Sequence, residues 1–103
     1  MLDYKKINAK EALEMMKGDV IVLDVRMENE YKAGHIKGAV LLPLSDIQEK
    51  AGTRLPDKNK TILTYCKAGG RSQKAARLLL DMGYANVYDF GGIETWPGEI
   101  VRQ

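Results

Sequence analysis

Thr61-Ile62-Leu63-Thr64-Tyr65-Cys66-Lys67-Ala68-Gly69-Gly70-Arg71-Ser72 decides how this chain folds. Its first five residues are apolar, aromatic or β-branched, too short a run for a helix, and read as a buried strand. From Gln73 to Met82 the pattern becomes helical, with Ala76, Leu79 and Leu80 inward and Gly83 as the stop. Between strand and helix lies a glycine-rich turn that opens with Cys66, the only cysteine in the chain. A thiol placed there faces the backbone N–H groups of the turn and the positive end of the helix. Surroundings of that kind lower a thiol pKa from about 8.5 toward roughly 3.5 to 7.5, the range of reactive cysteines. The turn therefore reads as a holder for an anion on sulfur.

Outward from this unit, strands and helices alternate. Upstream, Asn8 with Glu11 forms a capping-box pattern before a helix whose apolar face ends at Gly18. Val20 to Leu23 reads as a strand, Glu28 to Lys32 as one or two helical turns before Gly34, and Ala39 to Leu42 as a strand stopped by Pro43. Ser45 with Gln48 suggests a second capping box on a short helix ending near Gly52, and the polar stretch from Gly52 to Lys60 suggests a surface loop. Downstream, Asn86 to Phe90 is a further strand, and Gly91-Gly92 turns the chain into a last helical segment around Ile93 to Trp96, cut at Pro97. Such alternation calls for an α/β fold: a mostly parallel sheet with helices on both faces, here one domain over residues 1–103. Sites in such sheets lie beyond the carboxyl ends of the strands, where Cys66 stands after one strand and Asp24 to Arg26 after another.

Composition narrows the function. Apolar residues make up 45% of the 103 positions and charged ones 29%, the balance of a soluble globular chain. A net charge of +2, with Lys and Arg scattered, argues against nucleic acid as a partner. Met1 to Lys6 lack the apolar stretch of a secretion signal, and no window approaches the roughly 18 apolar residues of a membrane span. A single cysteine excludes an intramolecular disulfide and a Cys-x-x-Cys redox pair, and with a single histidine it cannot form a usual structural zinc site. The expected compartment is the cytoplasm, although a mature periplasmic chain would look the same.

Several short motifs now fall into order: Leu23-Asp24-Val25-Arg26, Glu30-Tyr31, Gly34-His35-Ile36, Gly38-Ala39, the loop Cys66 to Ser72, and Gly91-Gly92 with Trp96. Together, on an alternating α/β pattern, they resemble a single-domain rhodanese, a sulfurtransferase. The resemblance implies a cysteine that carries a persulfide between a sulfur donor such as thiosulfate and a thiophilic acceptor, with no cofactor. The acceptor is then cyanide, a small thiol, or a protein such as thioredoxin. It makes Cys66 the nucleophile and Lys67, Ala68, Gly69, Gly70, Arg71 and Ser72 the substrate-binding loop. Thiosulfate is a dianion, and Lys67 and Arg71 bring positive charge to the thiol. Two other readings stand beside this one. Rhodanese folds also serve as non-catalytic interaction modules. The cell-cycle dual-specificity phosphatases share the fold but use Cys-x5-Arg, whereas Cys66 and Arg71 are spaced Cys-x4-Arg.

Arg71 either forms a salt bridge at the helix start, an awkward place for a cation given the dipole, or binds an anion in the loop, which explains it better. Lys67 either attracts the donor or points into solvent. Ser72 either caps the helix or donates a hydrogen bond to sulfur. Asp24 with Arg26 is expected to hold neighbouring loops, and His35 to be a hydrogen-bonded structural histidine.

Overall fold

A computed structural model describes residues 4–103; residues 1–3, part of the opening stretch read above, lie outside the described residues. Strand β1 is Lys5–Lys6, β2 Val20–Asp24, β3 His35–Ile36, β4 Val40–Leu41, β5 Thr61–Cys66, β6 Asn86–Gly92 and β7 Ile100–Val101. Helix α1 is Ala9–Met15, α2 Glu28–Ala33, α3 Ile47–Arg54 and α4 Gly70–Asp81. Strands β1, β6, β5, β2 and β4 line up in that order in one parallel sheet, and β3 pairs with β7 in a small antiparallel ribbon.

The two-residue period of β5 sorts the core into two halves. Leu63 and Tyr65 point to the side covered by α1, where they join Ala12, Val22, Ile36 and Phe90. Ile62 and Cys66 point to the side covered by α3 and α4, with Leu23, Ile47, Ala51, Ala75, Ala76 and Leu79. Ile62, Leu63 and Leu79 are fully enclosed, and side chains of this size each contribute about 1.5–3 kcal/mol by leaving water. The expected architecture, a mostly parallel sheet with helices on both faces, is the one observed.

The first capping box forms as read: Asn8 Oδ1 accepts from the Glu11 N–H at 2.8 Å, and Glu11 Oε1 accepts from the Asn8 N–H at 2.9 Å. The second does not. Ser45 lies within a 3-10 turn, Leu44–Asp46, and α3 starts after Asp46 with no side-chain cap. This helix also outruns its expected end at Gly52, because Ala51 and Leu55 are both buried and keep the chain on the sheet. The surface loop is correspondingly shorter. Helix α4 begins three residues before Gln73, at Gly70, so half of the expected loop is its first turn. The expected strand over Ala39 to Leu42 narrows to Val40–Leu41, and the last helical segment is a 3-10 turn, Ile93–Thr95.

Candidate active site

Cys66 is the last residue of β5 and, by strand parity with Ile62, directs its sulfur toward α4. Two loop residues later the chain reaches Gly69, whose φ of +117° sets the turn into the helix and favours glycine. That geometry brings the Gly69 N–H to the Cys66 Sγ at 2.9 Å. The Ser72 Oγ lies 3.6 Å from the same sulfur and donates to the Gly69 carbonyl at 3.0 Å. Ser72 is thus neither the helix cap, which is Gly69, nor solvent-facing: it is fully buried against the sulfur. Backbone N–H groups at Gly70, Arg71 and Ser72 belong to the first turn of α4, where no intrahelical carbonyl can reach them.

The loop rests on its neighbours. Thr64 Oγ1, fully buried, spans from the Ser72 carbonyl to the Tyr88 carbonyl at 3.2 Å each, tying α4 to β6. At the end of β6, Gly92 pairs with Cys66 in the sheet and runs so close to the loop that a Cβ there would overlap the Lys67 carbonyl. Only glycine allows this approach.

Behind the loop stands a buried polar group. Asp24 accepts from Arg26 Nε at 3.0 Å and Nη2 at 2.7 Å, and from the Tyr65 hydroxyl at 2.6 Å. Tyr65 in turn accepts from the Ile36 N–H at 3.1 Å, and Arg26 donates to the Gly34 carbonyl at 2.7 Å. Burial, and then Asp24, push the Tyr65 phenol far above its ordinary range. The pair therefore ties the chain after β2 to the turn before β3 and, through Tyr65, to the end of β5, the structural role expected of Asp24 and Arg26. His35 is also placed structurally: its ring stacks on Tyr31 at 3.6 Å, and its Nδ1 lies 2.8 Å from the Tyr31 carbonyl.

Arg71 meets an anion, but one supplied by the protein. Its Nη1 and Nη2 donate to Glu30 Oε1 and Oε2 at 2.7 and 3.0 Å, a bidentate pair from helix α4 to helix α2. The hydrogen bonds from Arg71, reinforced by the Met27 N–H, hold the Glu30 carboxyl down at about 2. Of the other expected loop residues, Lys67, Ala68 and Gly70 are exposed, while Gly69 is buried. A cleft of about 430 Å³ opens beside the loop, lined by Arg26, Glu30, Lys67, Ile93 and Glu94 among others. A larger groove of about 650 Å³ runs along the outer side of α4 and meets the loop at Gly70, whereas the smaller cleft meets it at Lys67 and takes in Arg26 and Glu30 as well; the thiol itself lines neither. Glu30 and Gly92 are the site residues whose roles the sequence did not disclose. Glu30 lies 41 positions from its partner, and no local pattern joins them.

These features define an α/β protein with a cysteine-bearing loop at the carboxyl end of its central parallel strand. The sequence model of the rhodanese-like domain matches residues 8–99. The chain belongs to the rhodanese-like domain family. It is 40% identical to thiosulfate sulfurtransferase PspE of Escherichia coli strain K12, over 70% of this chain and 69% of that protein. It is 39% identical to thiosulfate sulfurtransferase GlpE of Coxiella burnetii, over 90% of this chain and 87% of that one. The crystal structure of a rhodanese-related protein from Thermoplasma volcanium superposes with a TM-score of 0.84 at 31% identity, covering 97% of this chain and all of that one. No helix among the described residues is long and apolar enough to cross a membrane.

Proposed function

We propose that this chain is a sulfurtransferase, working as one rhodanese-like unit, that moves sulfane sulfur from thiosulfate or a similar small anionic donor to a thiophilic acceptor. The observation that carries the reading is the contact of the Gly69 N–H with the Cys66 Sγ, made where β5 ends and α4 begins. A sulfur held by a backbone donor at a helix start is stabilised as an anion. Two relatives named thiosulfate sulfurtransferase add support.

In the first step the Cys66 thiolate attacks the outer sulfur of the donor. A new S–S bond forms, the old one breaks, and sulfite leaves with its electron pair. The product is a persulfide on Cys66. In the second step cyanide, a thiol or a protein such as thioredoxin attacks the outer sulfur, and the thiolate returns with the bonding pair. No general base is required once the thiol is ionised. The Gly69 N–H donates to the anionic sulfur, and the free N–H groups of the first turn of α4 are the further donors for both states, while the Ser72 hydroxyl beside the sulfur is committed to the Gly69 carbonyl. Lys67, exposed on the cleft wall, supplies positive potential to the arriving donor.

Intact mass of the purified protein, with and without thiosulfate, tests the reading. One added sulfur of about 32 Da, lost on adding cyanide and absent from Cys66→Ser, is the expected result. The variant keeps its fold, because serine can still accept from the Gly69 N–H. An unmodified mass with every donor would exclude the persulfide route and favour an interaction module, and phosphate release from an aryl phosphate would favour the phosphatase.

A further inference from the structure

We propose that Glu30 is a specificity-determining residue: by pairing with Arg71 and lining the cleft beside Lys67, it cancels one of the two loop cations and so weighs against a dianionic sulfane donor relative to a monoanionic one such as an organic persulfide or thiosulfonate. The inference rests on the sulfurtransferase reading for the word donor, but its electrostatic content stands alone. Two cations belong to the loop, Lys67 and Arg71. Arg71 is held by both carboxylate oxygens of Glu30, whereas Lys67 enters no ion pair among the described residues. The cleft wall carries Glu30 rather than Arg71, so an anion entering beside Lys67 meets the carboxylate before the guanidinium. Of the other charges on that wall, Arg26 is already neutralised by Asp24 at 2.7 Å, while Glu94 adds a second carboxylate and enters no ion pair among the described residues.

The carboxylate is well anchored. Besides Arg71, Glu30 Oε1 accepts from the Met27 N–H at 3.0 Å, closing the start of α2. Held down at about 2, it stays ionised at every pH at which a thiolate forms. Repulsion grows with the charge of the visitor, so the carboxylate weighs twice as heavily on a dianion as on a monoanion.

The test is equilibrium binding of an inert dianion, sulfate, and an inert monoanion, methanesulfonate, followed by the amide shifts of Gly69 and Gly70 at low ionic strength. Glu30→Gln keeps an acceptor for the Met27 N–H while removing the charge and one of the two oxygens that hold Arg71. The expected result is sulfate binding tighter by about three- to tenfold in Glu30→Gln, a gain for methanesulfonate near the square root of that, and both gains shrinking in salt. Glu30→Gln/Arg71→Gln loses the gain. Unchanged or weaker sulfate binding, an equal gain for both anions, or a gain that survives loss of Arg71 would overturn the assignment. A persulfide on the wild-type chain with no gain in Glu30→Gln defeats this inference alone; the gain without a persulfide defeats the sulfur-transfer reading alone.

Discussion

Two Arg–carboxylate pairs flank the cysteine strand, and they differ in surroundings more than in geometry. Both have a shortest N···O distance of 2.7 Å. The Arg26 and Asp24 side chains are 6% and 0% exposed, whereas those of Arg71 and Glu30 are 36% and 25% exposed. The first pair has no water to fall back on, so each partner depends on the other and on Tyr65. The second sits at the cleft, where water can replace either partner. An enclosed pair fastens structure, because losing one side leaves an uncompensated charge. A pair at the rim contributes little to stability but shapes the potential that a ligand meets.

The contrast can be broken most forcefully at its buried side. Asp24→Ala strands the Arg26 guanidinium and the Tyr65 hydroxyl together, and should cost about 3–5 kcal/mol in urea unfolding. A loss below about 1 kcal/mol would mean that the two pairs are equivalent. Gly92→Ala tests whether the loop has a support independent of both pairs. Its new Cβ must push the Lys67 carbonyl away, at a cost of about 1–3 kcal/mol, and should shift the Gly69 amide resonance while leaving those around Asp24 in place. Smallest is Glu30→Gln at neutral pH, where unfolding should change by less than about 1 kcal/mol.

The pH dependence sharpens the last case. Because pairing takes the Glu30 pKa down from 4.5 to about 2, the unfolded chain binds that proton first as pH falls. The stabilisation is complete above about pH 5 and fades toward pH 2. Wild type should therefore lose more stability than Glu30→Gln between those values, and parallel unfolding curves for the two proteins would contradict the pairing.

Much of this frame was legible because the physics was local. β5 announces itself by its apolar and β-branched run, and the Asn8–Glu11 box closes within one helical turn. The start of α4 was misplaced because Gly70, Arg71 and Ser72 carry no apolar period and include a poor helix former, while the signal that matters is the positive φ of Gly69. Ser45 and Gln48 have capping-box spacing, but the 3-10 turn commits Ser45 before the α-helix begins. Strands β1, β3 and β7 have two residues each, too few for any alternation to show. Arg71 is the instructive case. The helix dipole argues against a salt-bridged cation at that position and for a bound anion, yet the salt bridge is what forms, with Glu30 brought across by the packing of α2 on the loop. Pairings of that kind are decided by tertiary structure.

Tyr65 and Cys66 are adjacent, yet they serve opposite faces of the sheet. The phenol locks the Asp24 group on one side, and the thiol lies under α4 on the other. Strand length is thereby subject to a parity rule. Inserting one residue into β5 would exchange the two faces, sending the thiol into the apolar half and the phenol toward the helix. Only changes of two residues leave each in its place. An odd step keeps both faces only where a bulge absorbs the extra residue, as in β6, which advances from Asp89 to Gly92 while β5 advances from Thr64 to Cys66.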